Sequence, residues 1–262
     1  MKQRTIRGPV RLSGQGIHSG EPASLVIKPA APDSGICFIH QGQRIPALVK
    51  SVTRTERGTV LGGLSVTEHF LAAAWALGLD NLEVEVDGPE LPALDGSALP
   101  YVEALENIGL LDQPAEKDLL ALDHPIDLTE GKASLSARPY NGLRVDFMVD
   151  FAGVGRQRLS FELQGSAFKR DIAPARTFGY VDELAELNIK GLARGATQEN
   201  ALALGRDGYV NEPRFPDEPV RHKVLDLLGD LALIGRPLKA HITAERSGHK
   251  LNIELARRLS GK

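Results

Sequence analysis

The sequence predicts an α+β fold made of two domains of similar topology, each a β-sheet layered with α-helices. Three observations lead there. The chain has 262 residues, a length that favours about two domains. A polar, proline-containing stretch, LDQPAEKD at 111–118, reads as a linker, so domains over 1–113 and 119–262 are expected. One plan also occurs twice. EHFLAAAWALGLDNLEVEV in the first half and RHKVLDLLGDLALIGRPLKAHITA in the second each run from a histidine through an apolar helix and a glycine to an alternating strand. His69 and His222 hold matching places in that echo.

Taken in order, residues 1–30 read as short alternating strands broken by glycines. Ser65 to Leu77 reads as a helix stopped by GLDN, and LEVEVDG alternates strictly, as a half-buried strand does. PELPALDGS is a loop and LPYVEALENIGL a short amphipathic helix. Past the linker, ASLSARP and LRVDFMVDF read as strands, followed by a mixed region over 164–218. Residues 219–235, PVRHKVLDLLGDLALIG, read as a helix, LKAHITA as a strand and LNIELARRL as the last helix.

Composition narrows the class. Hydrophobic residues at 42% and charged residues at 25% are ordinary for a globular protein, and a net charge of −3 argues against a nucleic-acid partner. Cys37 is alone, which excludes an internal disulfide and a cysteine-rich zinc site. The start lacks the apolar core of a signal peptide, and the longest apolar run, FLAAAWALGL, is too short to span a bilayer. A cytoplasmic enzyme is expected.

The helix at 219–235 poses the chemical question. It has almost no polar side, yet His222, Asp226 and Asp230 recur at steps of four and so share a face. Burying such groups without partners costs several kcal/mol. The plain reading is that His222 and Asp226 satisfy each other. Two further features favour chemistry. In SVTEHF, Glu68 precedes His69 at a helix start, the order expected when a histidine holds a metal and a carboxylate takes a proton from water. Against this, Ser65-x-x-Glu68 is also a capping box, in which Glu68 only accepts a backbone N–H; that explains Glu68 and not His69. In SGHK, His249 sits in a turn before the last helix, where Asp230 could orient and charge it. Two histidines and an aspartate from this set would leave a fourth position open on a tetrahedral zinc, the mark of a catalytic site; Fe²⁺ or Co²⁺ also suits such ligands.

From KQRTIRGPVRLSGQGIHSGE onward, through six motifs in order, TEHFLAAAWALGLDN, PELPALDGSALPYVEAL, ARPYNGL, ARTFGY, VRHKVLDLLGDL and SGHKLN, the sequence resembles the UDP-3-O-acyl-N-acetylglucosamine deacetylases over most of the chain. These are zinc amidases of lipid A biosynthesis. The resemblance implies Zn²⁺ on His69, His222 and Asp226, with Glu68 as general base. It implies that His249, held by Asp230, steadies the oxyanion or protonates the leaving amine, and that Thr177 donates to the oxyanion. Phe178 and Lys223 become substrate contacts, Lys223 on the diphosphate, with His18 and Arg138 as further candidates. An insert around 180–212 would form an acyl-chain passage in which Leu192, Gly195 and Ala201 fall on the wall. Arg194 and Gln198 make that stretch more polar than an acyl passage requires. The site would lie at the domain interface of a monomer that binds an acylated UDP-sugar and comes only transiently near the inner membrane. Two alternatives stay open: an amidase of another N-acyl amino sugar, and an inactive homologue that binds a sugar nucleotide.

Overall fold

The computed structural model describes residues 1–261. Strands β1 (Lys2–Ile6), β2 (Val10–Gln15), β3 (Pro22–Pro29), β4 (Ile36–His40), β5 (Gln43–Pro46), β6 (Val52–Arg54) and β7 (Val60–Leu61) lead to helix α1 (Glu68–Ala76), strand β8 (Leu82–Asp87) and helix α2 (Leu99–Ile108). Next come β9 (Leu110–Glu116), β10 (Leu120–Ala121), β11 (Ile126–Glu130), β12 (Ala133–Arg138), β13 (Leu143–Phe151) and β14 (Gly155–Glu162). A π-helical turn at Phe168–Ile172 precedes β15 (Phe178–Tyr180), α3 (Leu184–Ile189), β16 (Leu202–Gly205) and β17 (Gly208–Tyr209). Helix α4 (Glu218–Ala232), β18 (Leu238–Glu245) and α5 (His249–Leu259) complete the fold, which is α+β as expected.

Two large sheets repeat one topology. The first has the order β2-β3-β8-β4-β5 and the second β11-β12-β18-β13-β14, with β10 added beside β18. In each, two antiparallel hairpins flank a strand that arrives last, antiparallel to one hairpin and parallel to the other. The parallel pairing needs a crossover, which α1 supplies before β8 and α4 before β18. The alternation read in LEVEVD holds: Leu82, Val84 and Val86 are buried and Glu83 and Glu85 face outward, Glu85 meeting Lys28 across the sheet.

The helices pack between the sheets. Phe70 of α1 meets Phe38 of β4 and Tyr101 of α2 edge-on, each at 5.8 Å between ring centroids. Leu227, Leu228 and Leu231 of α4 belong to the same contiguous core as Val145 and Phe147 of β13. Where α1 crosses α4, Gly229 is required. A Cβ there would lie 2.2 Å from the Glu68 carbonyl oxygen, so only glycine lets the two backbones come this close. The crossing sets the start of α1 beside Asp226 and Asp230.

Three readings are corrected. The stretch taken as a linker at 111–118 is largely strand β9, paired with β1. Its polar residues are satisfied there: Gln113 donates to the Ala30 carbonyl and accepts from Asn81, and Glu116 pairs with the N-terminus. Helix α1 begins at Glu68 rather than Ser65, and Ser65 instead bridges to Glu90. His249 is the first residue of α5, not a residue of the preceding turn. Among the described residues, no helix is long and apolar enough to cross a membrane.

Candidate metal centre and active site

The capping box does not form. Thr67 precedes α1 without a side-chain cap bond, and Glu68, in the first turn, keeps Oε2 buried with no hydrogen-bond partner. The loop into this turn is strained. Val66 has φ 59°, an uncommon conformation for a β-branched residue that costs about 1–3 kcal/mol. An unpaired buried carboxylate behind a strained residue is a poor helix start and a good place for a base.

His69 follows Glu68 and turns toward α4. Its Nε2 lies 3.9 Å from Asp226 Oδ1, and His222 Nε2 lies 3.3 Å from the same oxygen. The two imidazoles meet edge to face, with centroids 5.0 Å apart. One ligand atom from each of His69, His222 and Asp226 lies within 4.8 Å of the other two. His222 Nδ1 lies 3.1 Å from the Ala175 carbonyl; donating there fixes the tautomer that leaves Nε2 free to bind a metal. Burial, reinforced by the neighbouring imidazole, lowers the pKa of His69 to about 3, and burial also lowers His222, so both stay neutral as metal ligands must. Burial alone would raise Asp226, but Lys223 first, then His222 and His249, hold it far below the usual carboxylate range. The donor set therefore fits a divalent transition metal.

His249 closes the far side. Its Nδ1 lies 2.8 Å from Asp230 Oδ2, and its Nε2 points into the site, 3.8 Å from Asp226 Oδ2. Burial opposes its charged form, yet Asp230 and then Asp226 outweigh burial and raise its pKa to about 9. Asp230 is fully buried and also accepts from Thr59 Oγ1 at 2.5 Å and Asn252 Nδ2 at 2.9 Å, while Ser247 Oγ donates to Asn252 Oδ1 at 2.7 Å. Across the site, burial foremost, aided by the Asp226 and Asp230 charges and opposed by His249, lifts Glu68 to about 7. A group that can accept a proton and one that can donate thus flank three atoms that could hold a metal ion, an arrangement suited to acid–base hydrolysis.

Glu68, His69, His222, Asp226 and His249 line a cavity of about 490 Å³ whose wall is mostly apolar. Thr177 and Phe178 line it, and the Phe178 ring stands edge-on to His222 at 5.8 Å. Thr177 is pinned by its own backbone, donating to Gly96 and accepting from Leu202, each at 2.8 Å. His18, Leu192 and Ala201 reach the cavity. Gly195 does not face it but backs the wall: a Cβ there would lie 2.0 Å from the Gly16 carbonyl oxygen. Arg194 is exposed outside the cavity, so of the two polar residues noted in this stretch only Gln198 lines it. Lys223 lines the cavity with Nζ on Asp226 Oδ2 at 2.8 Å, and with Phe178, Arg246 and Ser247 it also lines an adjoining cavity of about 360 Å³. Arg138 lies apart from both, on β12, bonded to Asp127 and the Ile126 carbonyl.

Sequence reasoning missed Thr59, Ser247, Asn252 and the Ala175 carbonyl. Asn252 is one helical turn past His249, a spacing that could have exposed it. Thr59 and a backbone carbonyl carry no such signal.

Comparison with known proteins identifies the family. The sequence model of the family LpxC, UDP-3-O-acyl N-acetylglycosamine deacetylase, matches residues 3–261. Among curated relatives, the UDP-3-O-acyl-N-acetylglucosamine deacetylase of Thermosynechococcus vestitus is 43% identical, over 98% of this chain and 94% of its own. That of Myxococcus xanthus is 40% identical, over 98% and 86%, and that of Phenylobacterium zucineum 37%, over 100% and 94%.

Proposed function

Since this chain belongs to the UDP-3-O-acyl N-acetylglycosamine deacetylase family, we propose that it hydrolyses the N-acetyl group of a UDP-3-O-acyl-N-acetylglucosamine. Acetate and a free amine are the products, and the step serves lipid A biosynthesis. The observation that carries this is the unpartnered Glu68 Oε2, buried beside the His69–His222–Asp226 cluster on the wall of a largely apolar cavity.

His69, His222 and Asp226 would hold a zinc ion, which when bound polarises the amide carbonyl and acidifies water. The protein's own groups do the rest. Glu68 takes a proton from the attacking water at its free oxygen. His249, kept cationic by Asp230, faces the developing oxyanion and gives its Nε2 proton to the leaving amine. The Thr177 hydroxyl adds a second donor to the oxyanion. Phe178 stacks beside the sugar and His18 borders it. Lys223 and Arg246, cations bordering the smaller cavity, suit the diphosphate. Leu192 and Ala201, with Leu184 and Leu187, shape the acyl passage, and Gly195 keeps its wall closed. Arg138 could meet only a part of the nucleotide that extends beyond both cavities.

The same reading takes the protein as a cytoplasmic monomer with domains over 1–113 and 119–262 and the site between them, approaching the inner membrane only through the acyl chain of its substrate. The repeated strand order and the α1–α4 crossing support that division. Acetate release from the UDP-linked substrate, lost on chelation and restored by zinc, is the expected result. Activity that survives excess chelator would exclude the metal role.

A further inference from the structure

Arg176 and Glu218 form an ion pair deep in the protein, 5% and 0% exposed. The Glu218 carboxylate accepts from the Arg176 backbone N–H at 2.9 Å, from Nε at 3.0 Å and from Nη2 at 3.3 Å. Its second oxygen also takes the Arg214 backbone N–H at 2.6 Å. The other guanidinium hydrogens reach the Gln198 carbonyl at 3.1 Å and the Glu212 carbonyl at 2.8 Å. One side chain therefore ties together the first turn of α4, a cavity-wall residue and the turn before α4.

A buried pair of this kind is weak evidence for stability, because well-packed apolar residues often do as well. Its place in the chain suggests another use. Glu218 stands one helical turn before His222, and Arg176 lies between Ala175, whose carbonyl orients His222, and Thr177 and Phe178 at the cavity. Fixing Arg176 to α4 fixes all three neighbours against the metal-binding cluster.

We infer that Arg176 is a positioning residue that, through Glu218, holds the 175–178 strip in register with α4 and so sets both the orientation of His222 and the placement of Thr177. The inference rests on the deacetylase reading for its kinetic consequence and not for its metal consequence. Arg176→Lys keeps the charge and loses the planar fork that serves several acceptors at once. Glu218→Gln keeps the oxygen that accepts from the Arg176 backbone and loses the charge.

The test measures each variant per folded molecule, as kcat and KM for acetate release and as zinc affinity by chelator competition. Both variants should bind zinc about tenfold more weakly, as loss of an outer support does. Both should lower kcat by about tenfold to a hundredfold, the scale of a small misplacement of reacting groups, with KM moved less. A brace that served only the fold would lower thermal stability and leave these values unchanged. Native kcat and native zinc affinity in the folded fraction of either variant would overturn the inference. If the wild-type protein released no acetate from the UDP-linked substrate, the proposed reaction would fail, and the zinc arm alone would decide the role of Arg176.

Discussion

The two halves of this molecule share a frame and differ in what fills it. Each sheet has two hairpins around a central strand that is reached through a helix, α1 in one half and α4 in the other. The connection that leads into that helix differs. Residues 47–67 join β5 to α1 with two short strands, whereas residues 163–217 join β14 to α4 and build β15, α3, β16 and β17 on the way. The first half brings Glu68 and His69 to the crossing; the second brings His222, Asp226, Asp230 and His249, together with most of the cavity wall. The repeated frame thus fixes where two helices meet, the helices bring the titratable groups to that point, and the longer connection adds most of the cavity wall around it.

The sharpest way to break this comparison is to remove one ligand from each half. His69→Ala and His222→Ala should each abolish zinc binding under chelator competition and reduce acetate release to background, because neither half alone holds enough donors. If either variant kept both zinc and activity, the crossing would not be the site. Next in size, Glu68→Gln should keep zinc and lower kcat by about 10²–10⁴, the usual worth of a positioned general base. Because α1 has no capping box to lose and the buried charge is removed, the thermal midpoint should not fall. A near-native rate would show that the first half contributes a ligand and no proton acceptor.

Glu68 also shows what could be read before the fold was known. Residue type and order made it a base or a cap, and the sequence alone could not choose. The choice depended on where the helix starts, and Val66 in a left-handed conformation moves that start by three residues. The stripe of His222, Asp226 and Asp230 was legible because helical spacing is a local rule, and the repeat of helix and strand was legible because it follows from hydrophobic period. The polar stretch at 111–118 misled because its amides and carboxylates are paired across to β1, a long-range match that composition hides. Arg138 was carried over from motif position and lies bonded on β12, away from both cavities. Thr59 hydrogen-bonds Asp230 from 171 residues away, a distance no spacing rule covers.

A smaller effect separates the proposed acid of the second half, His249, from its proposed ligands. The Asp230 carboxylate raises the His249 pKa, so the basic limb of kcat should lie above the ordinary histidine range. Asp230→Asn removes the charge that favours imidazolium, and that limb should shift to lower pH while zinc stays bound. The sign for stability follows the same pair. A histidine whose folded pKa is raised stabilises the fold below its unfolded value of about 6.5, and the contribution is lost as pH rises through about 9. Thermal midpoints of the wild-type protein should therefore fall across that window and those of Asp230→Asn should fall less. Limbs from coupled groups are macroscopic, so the comparison lies in the displacement between the two profiles. An unmoved basic limb would assign the proton donor to another group.

The smallest effect concerns the long connection itself. If the 184–204 part of that connection serves ligand choice and not bond cleavage, narrowing the cavity away from the His69–His222–Asp226 cluster should change substrate preference and spare kcat. Leu192 lines the cavity on the loop that docks against the 16–20 turn, where Arg194 and Gly195 donate to the His18 and Ile17 carbonyls. Leu192→Trp adds bulk inside that wall without touching Glu68, His249 or the ligands. The discrimination available from one methylene in an apolar pocket is about 10–200-fold. The kcat/KM ratio between a long-chain and a short-chain 3-O-acyl substrate should then fall by about tenfold, through KM of the long-chain substrate, with kcat for the short-chain one near native. An equal loss for both substrates would mean that the connection shapes the catalytic end as well, and that the two halves divide their labour less cleanly than their frames suggest. An unchanged ratio would place the acyl chain along some other wall of the molecule.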